Sequence, residues 1–230
     1  MTYRTINSFR KAHRFLGLFI GIQFLFWTVS GVYFSWTDID EIHGDYYRKV
    51  PSAPSIPPTL FGDSLLKNIS TPIQSLTLKN IGGDPFLWIN NAILLNVKTA
   101  QIQKEISPHQ AIAVVNENIL APYTPLKAER ITKVGPHHEY RGRPLPAYRV
   151  PLSGEENLVA YVDAQNGDFQ RIRHSSWRWF DFLWMTHTMD YQGRDNFNTW
   201  LLRAFSLLGL LTVLSGFALG WVTWSKQKRK

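Results

Sequence analysis

Two stretches of this chain run long without a charge, and between them the pattern changes to alternating and short apolar runs. From Phe15 to Trp36, FLGLFIGIQFLFWTVSGVYFSW passes 22 residues with no acidic or basic side chain. Coiled as an α-helix it spans about 33 Å, enough to cross the hydrocarbon core of a bilayer. A cleaved signal peptide has a shorter apolar region, about 7–15 residues, followed by small residues. This run instead ends in Tyr33, Phe34 and Trp36, which predicts an uncleaved signal anchor. The second run, Ala204 to Trp224, holds 21 uncharged residues with KQKRK close behind it. Trp200 at one end and Trp221 and Trp224 at the other suit the two interfaces of a membrane.

The middle of the chain reads as α+β. Tyr33, Trp36, Asp40, His43 and Tyr47 keep helical spacing, so the first helix is expected to continue two turns past its span. KVPSAPSIPPT then breaks it, and 37–58 is read as helix extension and linker. A weak repeat follows. LLNVKTAQIQ (94–103) aligns with YVDAQNGDFQ (161–170) at a constant offset of 67 residues. Each reads as strand, turn and strand. Before each come a helix and two strands: LFGDSLLKNI, IQSLTLK and PFLWIN in 59–105, then SPHQAIAVVNENI, AERITKV and PAYRVPL in 106–173. Ser107 with Pro108 makes a helix start, and Asn166-Gly167 is a hairpin signal. Asp163 beside that turn has a catalytic look, but Asp commonly organises turns through its own carboxylate, and that reading is preferred. In 175–199, Trp177, Phe180, Trp184, His187 and Tyr191 recur at three- and four-residue steps. They predict a helix lying at the membrane surface, apolar face down, with a turn leading to the span at 201–224.

Charge narrows the picture. The chain carries a net +8, with 25 basic and 17 acidic residues. Arg4, Arg10, Lys11 and Arg14 lie in the tip 1–14, and Lys226, Lys228, Arg229 and Lys230 in the tip 225–230. The remaining 17 basic residues balance the acids. An excess confined to tips beside apolar runs is the positive-inside pattern, which puts both termini in the cytoplasm and the central residues in a periplasmic-type space. It argues against nucleic acid as a partner, which wants a basic face on a folded domain. No cysteine is present, which excludes disulfides, zinc–thiolate sites, iron–sulfur clusters and a covalently attached c-type haem. Gly17 and Gly21 in the first span, and Gly209, Thr212, Gly216 and Gly220 in the second, are small residues that would let helices approach closely, within one chain or between copies.

The segment SPHQAIAVV…PAYRVPL…AYVDAQNGDFQRI resembles the PepSY domain, with Ala111, Tyr148, Val150, Val162, Asp163, Ala164 and Gly167 at its characteristic places. AHRFLGLFIGIQFLFWTVSGVYFSW resembles the opening helix of the PepSY-associated transmembrane family through His13, Arg14, Gly17, Ser30 and Gly31. FLWMTHTMDYQGRDNF is similar to that family's histidine-bearing approach to the next span, through His187, Gly193 and Arg194. The resemblance implies a membrane α+β protein with two transmembrane helices flanking an external domain of two PepSY-like helix-plus-antiparallel-sheet units, the first degenerate, in a bacterial cytoplasmic (inner) membrane. Larger relatives have four spans and are tied to iron and siderophore uptake, some resembling haem-containing siderophore reductases. With two spans, a four-helix core would need a homodimer or a second membrane subunit. PepSY domains elsewhere restrain or chaperone secreted peptidases, so a siderophore-transport partner and a peptidase partner are both expected possibilities.

A b-type haem needs axial ligands, commonly histidine, and an apolar slot. His187, on the aromatic helical face, and His43, near the end of the first span, form the candidate haem pair, within a chain or across a dimer. The competing reading is that both are interfacial side chains bonded to headgroups or backbone. His13, beside Arg14, could ligate only with a partner from another copy; otherwise it is a basic interfacial residue. His137 and His138 are adjacent and poorly placed to share a metal. His109 and His174 are expected at the surface. No G-x-G-x-x-G, phosphate loop, H-E-x-x-H or G-x-S-x-G occurs, so nucleotide-dependent, zinc-protease and serine-hydrolase chemistry lack their usual signatures. Two functions stay open: a haem-dependent electron-transfer accessory in iron uptake, and a non-enzymatic module that binds a peptidase or membrane partner.

Overall fold

The computed structural model describes residues 3–49, 55, 65–67 and 69–227. They form two compact units: a membrane unit made from the chain up to Asp38 and from Trp179 onward, and a central unit, Ile39–Arg178.

The membrane unit is built on α1 (Tyr3–Trp36) and α5 (Trp200–Gln227). Within them Asn7–Trp36 and Trp200–Ser225 are long and apolar enough to cross a membrane. The two helices pack on each other, and the small face of α5 makes the seam. A methyl group on Gly209 would sit 3.1 Å from the ring of Phe24, and one on Gly216 would sit 3.3 Å from Cε1 of His13. Thr212, between them, is buried. Phe19 stacks on Phe205 across the same seam. Away from it Phe15, Leu18, Ile22, Leu25, Leu210 and Phe217 are exposed, as side chains facing lipid should be. Gly17, Gly21 and Gly220 have open space where a side chain would stand.

The expected two-turn extension of the first helix is interrupted. α1 ends at Trp36, and a separate short helix α2 (Ile39–His43) and one 3₁₀ turn (Asp45–Tyr47) follow. Gly44 separates these last two with φ at +86°, a left-handed conformation that glycine adopts without steric penalty. The linker and the first expected helix, LFGDSLLKNI, lie largely outside the described residues; Leu65 is described and is buried.

The central unit contains two antiparallel meanders. The first is β1 (Leu76–Ile81), β2 (Asp84–Ile89), β3 (Ile93–Asn96) and β4 (Ile102–Gln103); the second is β5 (Glu129–Ile131), β6 (Ala147–Pro151), β7 (Val159–Asp163) and β8 (Phe169–Arg173). Between them in sequence runs α3 (Pro108–Asn118). Its start is a full capping box: the Ser107 hydroxyl accepts from Gln110 N–H while the Gln110 side chain accepts from Ser107 N–H. The two sheets share one core. Ile81, Phe86, Trp88 and Leu94 of the first sheet and Tyr148, Val150, Ala160 and Val162 of the second gather around Ala111, Val114 and Val115 of α3. One helix thus packs on both sheets, while the other face of the first sheet buries its own cluster, Leu87, Ile89, Leu95 and Val97 with Leu65.

The 67-residue offset survives in the turns. Asp163 Oδ1 accepts from Gln165 N–H at 2.8 Å, and Gly167 N–H donates to Asp163 O at 3.0 Å. In the first sheet Asn96 Oδ1 accepts from Lys98 and Thr99 N–H, and Ala100 N–H donates to Asn96 O at 2.9 Å. Gly167 has φ +73° and Ala100, in the same place, φ +55°. Asp163 is therefore a turn organiser; burial, the main influence, raises its pKa above the ordinary carboxylate value.

Candidate functional site

The last helix before the second span is α4 (Ser175–Thr188). Its second half, in the membrane unit, meets the outer half of α1. Phe34 of α1 contacts the rings of Phe180, Trp184 and His187, the last at 5.6 Å between centroids. Deeper along α1, three side chains at helical spacing take hold of the end of α4. Gln23 Nε2 donates to Thr186 O at 3.1 Å, Trp27 Nε1 donates to His187 O at 2.8 Å, and Ser30 Oγ lies 2.7 Å from His187 Nδ1. A helix leaves its last carbonyls unsatisfied, and here side chains of the neighbouring helix satisfy two of them. The flat surface helix expected from the aromatic periodicity is thus, at its C-terminal end, bonded to the first span. Gln23 is buried and Ser30 has no exposed surface.

His187 lines a cleft of about 400 Å³ with Trp27, Trp184, Thr188, Phe197, Leu202 and Ser206. The walls are mainly aromatic and apolar. Nδ1 is engaged by Ser30; Nε2 has no partner among the described residues.

The turn after α4 closes on Asp190. Its carboxylate accepts from the backbone N–H groups of Gly193, Asp195 and Asn196 at 3.1, 3.0 and 2.8 Å. Burial is the largest single influence on this carboxyl and pushes its pKa up, but the backbone donors of Asn196, Gly193, Gln192 and Asp195 together outweigh it and hold the group below its ordinary value. Arg194 Nη1 donates to the buried Asp181 of α4 at 2.6 Å. Gly193 and Arg194 therefore fix the path from α4 to α5.

His13 sits on α1, 17 residues before Ser30, which is about 25 Å along a helix. Its Nδ1 lies 2.7 Å from Ser215 Oγ on α5, so it turns toward the helix seam and is half-buried. His13 and His187 are thus too far apart to share one iron. His43 ends α2 in the central unit and is exposed. His174, expected at the surface, is instead buried; its Nε2 lies 3.0 Å from Glu41 O and 3.3 Å from Ile42 O. It follows strand β8 directly and packs on Tyr47, which its polar sequence surroundings concealed. His109 is exposed, and His138 Nδ1 accepts from Tyr140 N–H. Among the described residues no three His, Asp or Glu side chains converge as a metal-binding group.

Ser30, Ser215, Gln23 and Trp27 were not singled out as site residues by their sequence. The available signal was the lone amide Gln23 inside an apolar run, spaced four and seven residues from Trp27 and Ser30.

Two spans, two antiparallel sheets and a histidine-bearing helix before the second span define a membrane-anchored α+β protein. The family model described as PepSY-associated TM region matches residues 10–230, and the chain belongs to that family. No curated protein and no solved structure matches it.

Proposed function

We propose that the chain is an electron-transfer accessory of iron or siderophore uptake, holding a b-type haem in a bacterial cytoplasmic membrane with both termini in the cytoplasm. The observation that carries the reading is His187: a half-buried imidazole in an aromatic cleft, bonded at Nδ1, with Nε2 unengaged among the described residues. A haem slot asks for such a ligand and such walls. The fit is to one axial position. His13, the other histidine of the membrane unit, is about 25 Å away along α1, so a second histidine ligand would come from outside that unit, for which a second copy of the chain is the proposed source. The basic residues at both tips support the orientation.

The test is the absorption spectrum of the detergent-purified protein from haem-replete cells. A Soret band and a reduced-state α band are expected, with both lost in His187→Ala. A colourless protein removes the reading.

A second reading rests on the edge of the first sheet. β1 is an edge strand, with Leu76 exposed, and an extended peptide segment can add to such an edge. On that reading the protein binds a peptidase or uptake partner without chemistry of its own, and His187→Ala leaves partner binding intact.

A further inference from the structure

The two histidines of the membrane unit are held by the same device. His187 Nδ1 meets Ser30 Oγ at 2.7 Å, and His13 Nδ1 meets Ser215 Oγ at 2.7 Å. In both cases the serine belongs to the other helix of the contact. A hydroxyl has one proton. Ser30 directs its proton to a carbonyl of its own helix, Phe26 O at 2.6 Å, with Trp27 O at 3.2 Å as the second acceptor. Ser215 directs its own to Thr212 O at 2.8 Å. A carbonyl cannot donate. All of these contacts are hydrogen bonds only if each serine oxygen accepts from the histidine, which requires the proton of the neutral imidazole to sit on Nδ1. With the proton on Nε2 instead, each serine would have to give up its carbonyl to reach the ring, and one bond per site would be lost where no water replaces it.

We infer that Ser30 and Ser215 are positioning residues that hold His187 and His13 as Nδ1–H tautomers, which at His187, beside its aromatic cleft, leaves the Nε2 lone pair free to bind a metal centre. The hydrogen bond that a ligating histidine makes through its other nitrogen sets which nitrogen is free. Here the bond is already made by a helix–helix contact. The tautomers follow from the hydroxyl geometry alone; that the His187 lone pair serves haem iron rests on the proposed function. Gly216 fits the scheme, because a methyl group there would stand 3.3 Å from Cε1 of His13. Ser30, late in the first span, thereby acquires a reason: it addresses a ring carried more than 150 residues later.

The test is ¹⁵N NMR of the full chain in nanodiscs, with labelled histidine, haem-free, at a pH where the rings are neutral. His187→Gln and His13→Gln assign the two signals. The expected spectrum has Nδ1 protonated and Nε2 bare at both residues. Ser30→Ala is expected to return His187 to a mixture of tautomers while His13 keeps its signature; Ser215→Ala does the converse. Each histidine is thus the folding control for the other variant, and Ser30→Thr restores the His187 signature. A wild-type protein with Nε2 protonated, or a Ser30→Ala protein in which His187 is unchanged, overturns the inference. A haemin titration is run beside it, where Ser30→Ala is expected to weaken binding about 10–100-fold, as loss of such an outer partner does. The expected tautomers without any haemin binding would uphold the inference and remove the haem reading. Haemin binding with the wrong tautomer would do the reverse.

Discussion

Ala100 and Gly167 occupy the same step of the same turn, and only one of them suits it. Both have positive φ, a conformation costing an L-residue with a side chain roughly 1–2 kcal/mol. Glycine adopts it freely but loses more chain entropy on folding. Ala100→Gly is therefore expected to stabilise the protein by about 0.5–1 kcal/mol, read as a raised midpoint in thermal unfolding of the detergent-purified chain. Gly167→Ala is expected to cost about 2–3 kcal/mol, since the new methyl group would also stand 2.9 Å from the Ile81 side chain. This turn was readable residue by residue: Asn-Gly and the preceding Asp name it in the second unit, and the 67-residue offset carries it to Asn96 and Ala100 in the first. His174 was not readable in that way. Nothing local distinguishes it from an exposed histidine, because its burial depends on α2 and Tyr47, which arrive from more than 120 residues earlier.

At the level of elements, periodicity located the helices and strands, and capping chemistry marked the start of α3 at Ser107. Periodicity also gave α4 its aromatic face. It could not say what that face meets, since one stripe of tryptophan and phenylalanine serves equally against lipid headgroups or against another helix. The answer lay in polar exceptions on α1. Gln23 is expected to be the most sensitive of them: Gln23→Leu leaves Thr186 O without its side-chain donor in a place with little water. A loss of about 1–3 kcal/mol follows from an unsatisfied buried carbonyl, and it should appear as faster hydrogen exchange at the end of α4 while exchange in the two sheets is unchanged.

For the whole molecule, the sequence supported two spans, two antiparallel sheets and the order of both. It did not reveal that one face of each sheet shares a core around α3. Nor did it divide the work among the small residues. Gly209 and Gly216 face α1, while Gly17 and Gly21 point into open space, leaving a narrow face on α1 that a second copy could cover without disturbing the seam. If self-association completes the haem site, Gly21→Leu is expected to convert a dimer to monomer in light scattering of the detergent-solubilised protein, and to lower haem content in step. Retention of the dimer would place its contacts elsewhere.

The grip of Gln23, Trp27 and Ser30 on α4 bears on how the protein is made. These bonds join residues 157 to 163 positions apart, so during synthesis the first span enters the bilayer long before its partners exist. Until the ribosome has delivered α4, Gln23 and Trp27 carry side-chain donors without these acceptors on a lone membrane helix, and completion of the chain is the event that relieves them. A product truncated before residue 175 would keep that defect permanently, because both acceptors lie on α4.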